Sequence, residues 1–131
     1  MASMADQFRA FLEAKEEAIK AEALKAQEAN AKQFAREVRR KVPVEEGDLK
    51  RSIKVTPGGE RTPAYSRGGA QTVPEGTVMV TAGNEKVRYG HIVEHGSKKM
   101  RGRKFWWPTV KMLRQKFRNR NKAALRKAIK K

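Results

Sequence analysis

The chain contains no cysteine, which removes disulfides, thiolate metal sites and thiol nucleophiles at once. Histidine is almost as scarce, with two residues in 131. No apolar run approaches the roughly 18 residues needed to span a bilayer, so no integral membrane protein is expected. The opening segment MASMADQFRA is quickly polar. It lacks the apolar core of a secretory signal, which predicts a chain that starts in a cytoplasm. Glycine and proline are missing from residues 5–41, and acid is missing from the far end, where residues 98–131 hold 15 Lys and Arg and no Asp or Glu.

What is present is unevenly placed. The net charge of +17 comes from 31 basic and 14 acidic residues, and all 14 acids lie before residue 98 beside only 16 of the bases. The chain is thus a nearly neutral body with a cationic tail, a distribution that predicts contact with a polyanion or an acidic surface. Its length of 131 residues has room for one modest core, so a single domain is expected.

Within residues 5–41, Phe8, Phe11, Leu12, Ile19, Ala23, Ala26, Phe34 and Val38 recur at steps of three, four and seven. That spacing predicts one amphipathic helix. Unbroken, it would run about 55 Å at 1.5 Å per residue, too long for a domain this size to cover, so part of its stripe is expected to pack on another subunit. A break near Asn30 is the alternative. Pro43 ends the helix by pushing the residue before it out of helical space.

Farther on the period becomes two. Ile53 and Val55, then Val78 and Val80, alternate with polar residues, which predicts an antiparallel pair of half-buried strands. Between them lies PGGERTPAYSRGGAQTVPEG, residues 57–76, with five glycines and three prolines and almost nothing to bury. A linker this long in a compact domain is functional or disordered, so a mobile loop is expected. Gly83 and Asn84 mark a turn, and a short helix follows over residues 87–95, capped by Gly96. Pro108 suits the first turn of a last helix, apolar on one side through Val110, Leu113, Phe117, Ala124, Ala128 and Ile129 and basic over much of the rest. Trp106 and Trp107 are expected to anchor packing rather than stack on bases.

His91-Ile92-Val93-Glu94-His95 fits the H-x-x-E-H spacing of inverted zinc peptidases. Such a site needs a third protein ligand and an open position for water. No third histidine exists, and no Asp or Glu follows Glu94. Gly90 weakens the helix that would align the pair, and the surrounding cations repel a divalent ion. Glu45, Glu46 and Asp48 point different ways in a turn and lack a partner for acid/base work, Asp48 being better suited to capping. The glycines of PGGE and SRGGA lack the Lys-Ser pair of a phosphate-binding loop. Neither catalytic nor metal-ligating residues are assigned, and no cofactor.

The order of segments resembles the Hong Kong 97 gene-product-ten family of tailed bacteriophages, small neck or tail-completion proteins. The resemblance is carried by VPVEEGDLKRSIKV, by VMVTAGNEKVRYGHIVEHGSKK and by FWWPTV, with Pro43, Gly47, Leu49, Ser52, Ile53, Gly83, Tyr89, Val93, Glu94, Gly96, Phe105 and Pro108 at the family's motif positions. It runs from about residue 35 to residue 110. His91, Ser97 and the FWW triplet depart from the usual pattern. In this frame HIVEH is a structural segment and Glu94 a structural acid.

The resemblance implies an α+β fold: a long N-terminal helix over residues 1–42, a small antiparallel sheet with the mobile loop and a short helix over 43–97, and a basic loop and C-terminal helix over 98–131. It implies a non-enzymatic virion protein, assembled in the host bacterial cytoplasm, that forms a ring, a hexamer or related symmetry, at the head-to-tail junction. Implied partners are copies of itself, adjacent portal, adaptor or head-closure rings, tail-tube proteins and the DNA passing through, with no membrane. Candidate contact residues are Arg61 and Arg67 in the loop, then Lys98, Lys99, Arg101, Arg103, Lys104, Arg114, Arg118 and Arg120, facing the lumen or an acidic neighbouring ring. The rival expectation is a free, non-specific nucleic-acid-binding protein using residues 98–131.

Overall fold

The structure, a computed structural model, describes residues 2–42, 47–64, 66, 69–83, 96–97, 100–101 and 105–130. Among them the order is α1 (Met4–Lys41), α2 (Gly47–Ser52), β1 (Lys54–Pro57), β2 (Val78–Thr81), β3 (Gly96–Ser97), β4 (Met100–Arg101) and α3 (Trp107–Lys130). The architecture is α+β: two helices packed side by side, with the β1-β2 sheet against the C-terminal half of α1.

Helix α1 is continuous for 38 residues, about 57 Å, with no break at Asn30. Its first turn is closed by a capping box, in which the Ser3 hydroxyl accepts from the Asp6 N–H at 3.1 Å and the Asp6 carboxylate accepts from the Ser3 N–H at 3.3 Å. At the other end Arg39, Arg40 and Lys41 sit where the helix dipole favours cations, and Val42 leaves helical space just before Pro43, as expected.

Helices α1 and α3 run antiparallel, because Lys41 lies by Met112, Asn30 by Asn121 and Glu22 by Lys127. The core gathers where both meet the sheet. Phe34, Ala35, Val38, Val42, Leu49, Ile53, Phe105 and Leu113 are buried together, with Val55, Val80, Trp106, Val110 and Phe117 packed on them. The Trp106 ring meets Phe34 edge-on at 4.9 Å, the packing role expected of it, while Trp107 is exposed. Thr109 donates its hydroxyl to the Phe105 carbonyl at 2.7 Å, and Pro108 falls in the first turn of α3 as expected.

The antiparallel register pairs Val55 with Val80 and Thr56 with Met79. The Val55-Val80 pair faces the core as the alternation predicts. Thr56 and Thr81, polar residues on the opposite face of the sheet, are buried as well. Alternation identifies one face of a strand but not whether something also covers the other.

Residues 57–76 bury more than the sequence suggests. Gly59 N–H donates to the Val73 carbonyl and Val73 N–H to the Glu60 carbonyl, both at 2.8 Å, and an isolated bridge joins Arg61 to Thr72. The segment therefore extends the β1-β2 hairpin as an arm, with Thr62, Ser66 and Val73 buried along it. Glycines and prolines break the alternation that would have revealed the pairing. The short helix expected over residues 87–95 lies outside the described residues. Gly96, expected as its cap, stands in β3 opposite Arg101, and a six-residue helix occurs earlier, as α2.

Candidate assembly surfaces

Of the motif residues that the structure describes, Leu49, Ser52, Ile53, Gly83 and Phe105 are buried, Gly47 is half-buried and Pro108 is exposed. Leu49, Ile53 and Phe105 share the core cluster. Ser52 ends α2 and ties two segments together: its hydroxyl donates to the Leu49 carbonyl at 2.6 Å and accepts from the Gly83 N–H at 2.9 Å. Gly83 makes this approach with φ near 100°, a left-handed backbone that glycine tolerates best. Arg39 adds a second tie, donating to the Ile53 carbonyl at 2.8 Å. These residues hold α1, α2 and the sheet together. Pro43, Tyr89, Val93 and Glu94 lie outside the described residues.

The exposed chemistry lies on the two long helices. Helix α3 carries Lys111, Arg114, Lys116, Arg118, Lys122, Arg126, Lys127 and Lys130 on exposed positions and has no acid in its length. Its one half-buried cation, Arg120, turns inward. The guanidinium donates to Asn30 Oδ1 at 2.7 Å and to Gln33 Oε1 at 2.8 Å, and lies 5.9 Å from the Phe117 ring centre. Thus Arg114 and Arg118 are exposed, whereas Arg120 is engaged in joining α3 to α1. Arg61 is exposed on the hairpin arm, and Arg101 lies in β4. Arg67, Lys98, Lys99, Arg103 and Lys104 fall outside the described residues.

Sequence reasoning missed the polar seam between the helices. Asn30, Gln33, Arg120 and Asn121 are joined side chain to side chain, and the buried Glu22 carboxylate sits 3.5 Å from Lys25 and 3.8 Å from Lys127. The signal was available: Glu22, Ala26, Asn30, Phe34 and Val38 follow one another at steps of four. Polar residues in that row need partners on the helix covering it.

At the other end of α1 the partner helix is missing. Helix α3 ends at Lys130, three residues beyond Lys127 and so near the level of Ile19, and residues 2–14 are exposed throughout. About 20 Å of α1 therefore overhangs. On it Phe8 is 61 %, Phe11 43 % and Leu12 40 % exposed, with Lys15 lying 5.9 Å from the Phe11 ring centre. Glu16 and Lys20 pair at 2.9 Å at the base of the overhang. The hydrogen bond and then the charge attraction hold the Glu16 carboxyl below its ordinary value and raise the Lys20 ammonium.

Among the described residues no three His, Asp or Glu side chains come together as a metal would require. His91, His95, Glu45 and Glu46 lie outside those residues. Asp48 stands in the first turn of α2, paired with Arg51, rather than capping it from outside. No described helix is long and apolar enough to cross a membrane.

With Leu49, Ile53 and Phe105 of the motif in its core, the chain is a small α+β scaffold whose exposed charge, among the described residues, lies largely on two helices. A family model described as "Bacteriophage HK97-gp10, putative tail-component" matches residues 6–96, well over half of the chain, and the chain belongs to that family. It is accordingly a structural component of a bacteriophage particle, as the motif resemblance implied. No curated protein and no solved structure matches it.

Proposed function

We propose that this protein forms a ring with copies of itself at the head-to-tail junction of the particle, closing the head or completing the tail, with DNA passing through the bore. It acts by shape and charge and catalyses nothing. The observation that supports this most is helix α3, which carries eight exposed cations and no acid of its own, with Lys127 alone of the eight placed beside a described carboxylate, that of Glu22 on α1. Phosphate attraction is independent of sequence, so a uniformly cationic helix suits a conduit through which any DNA must slide. In this reading Arg114 and Arg118 face the lumen or an acidic neighbouring ring, together with the cations of residues 98–104.

Electron microscopy of particles assembled without the protein tests the role. Finished heads and tails left unjoined indicate joining, leaking heads indicate closure, and overlong tails indicate termination. Normal infectious particles would end the proposal. The rival, a free nucleic-acid-binding protein, rests on the same cations and separates by affinity. The ring subunit is expected to bind duplex DNA weakly and without sequence preference, losing it at moderate salt. Tight binding to one sequence would favour the rival.

A further inference from the structure

Met4, Phe8, Phe11 and Leu12 lie on the same side of α1 as Ile19, Glu22 and Ala26, since each residue advances about 100° around the axis. That side is the one α3 covers, and the cover stops about one turn beyond the Glu22–Lys127 contact, near Ile19. The overhang thus continues an existing helix-helix interface past the end of its partner. Phenylalanines at helical spacing, bare on a stripe that is half-buried at Ile19 and buried from Glu22 onward, mark a surface completed by another molecule.

Charge identifies the occupant. Between Met4 and Glu17 stand Asp6, Glu13, Glu16 and Glu17 against Arg9 and Lys15, so DNA or an anionic lipid surface is repelled rather than drawn. A cationic helix with apolar residues of its own is what fits, and α3 is one. On its flank Leu125 and Ile129, one turn apart, are 47 % and 39 % exposed among Lys122, Arg126 and Lys130. We propose that the overhanging end of α1 docks on this flank of α3 in a second copy. Phe8, Phe11 and Leu12 meet Leu125 and Ile129, and the carboxylates meet the surrounding cations. Each copy offers one patch and receives on a different one, so the contact is head-to-tail, the kind that repeats around a ring when the rotation closes. This deepens the ring reading by naming the contact that would build it.

The absence of native cysteine makes the test clean. One preparation carries L12C and another I129C, and the two full-length chains are mixed and oxidised. The expected product is the mixed L12C-I129C disulfide, decreasing with added salt. Self-linked L12C as the dominant product would mean that two overhangs pair symmetrically, and overturns the proposal. So does the absence of any cross-link at about 1 mM chain, the limit of weak association. Adding Phe8→Ser and Phe11→Ser to the L12C chain is expected to reduce the mixed product at least about tenfold, a change worth about 1.4 kcal/mol of association. Thermal unfolding should be unaltered, because both rings are exposed; an undiminished yield counts against the contact. Failure here with unjoined particles in the microscope removes only the contact. A mixed disulfide alongside normal particles without the protein removes only the ring at the junction.

Discussion

The Arg120 guanidinium reaches 2.7 Å from Asn30 Oδ1, across the seam between α3 and α1. A second N–H of the same group reaches Gln33. Hydrogen bonds to a charged group contribute about 1.5–3 kcal/mol when removal strands the partner. Arg120→Ala is therefore expected to lower the unfolding free energy by about 1.5–3 kcal/mol, with Arg120→Lys retaining little because lysine lacks the planar fork. Arg118→Ala, on the exposed side, should change stability by less than about 0.5 kcal/mol. Urea unfolding of the three variants checks this; equal losses at 118 and 120 would contradict the seam.

Thr56 and Thr81 are buried on one face of the sheet, and neither hydroxyl finds a hydrogen-bond partner among the described residues. Burying a hydroxyl without a partner costs about 1–3 kcal/mol by mutational data. Replacing either by valine keeps the shape and removes the stranded group. Thr56→Val and Thr81→Val are expected to leave stability unchanged or raise it by up to about 2 kcal/mol in thermal melts. A loss of more than about 1 kcal/mol would mean that these hydroxyls are bonded.

Gly58 stands at the base of the hairpin arm, where a Cβ would come 2.9 Å from the Pro74 carbonyl oxygen and 3.1 Å from Glu75 Cα. Both obstacles are backbone, so the strands must part. Gly58→Ala is expected to cost about 1–3 kcal/mol, the range for overpacking. It should also loosen the Gly59–Val73 hydrogen bond, and limited proteolysis between residues 57 and 76 is expected to quicken. Unchanged cleavage would mean that the arm opens without this bond.

The Glu16-Lys20 pair makes the overhang sensitive to acid. Because the folded-state carboxyl titrates below its ordinary value of 4.5, its contribution is fully present above that value and is lost as pH falls through the lowered one. The group is fully exposed and the effect small. Circular dichroism at 222 nm should show wild type losing more helicity than Glu16→Gln between neutral pH and about pH 3. Superimposable titrations would remove the pair as a support.

Much of the fold was legible because its signals are local. The step of three and four in α1, the glycine- and proline-free stretch, and Pro43 and Pro108 at helix boundaries set both long helices. Val55 and Val80 gave the sheet its inner face. What stayed hidden depends on partners distant in sequence: Arg120 reads as one more surface cation until Asn30 and Gln33 are placed beside it. Val73 sits in a stretch whose glycines mask its pairing with residues 59 and 60. Ser52 shows nothing of its bond to Gly83, 31 positions away. For the candidate surfaces, composition disclosed the cationic helix and length hinted at the overhang. Which flank of α3 stays bare required the antiparallel alignment of the helices.

A helix clamped along two thirds of its length and free beyond behaves like a cantilever. Amides near Val38 open only with the whole molecule, whereas those near Phe8 belong to a stretch too short to hold its shape alone in water. Hydrogen exchange should therefore climb steeply along a single element. Melting the isolated chain is nearly blind to that outer third, so a substitution there passes every stability screen and is felt only when copies must meet.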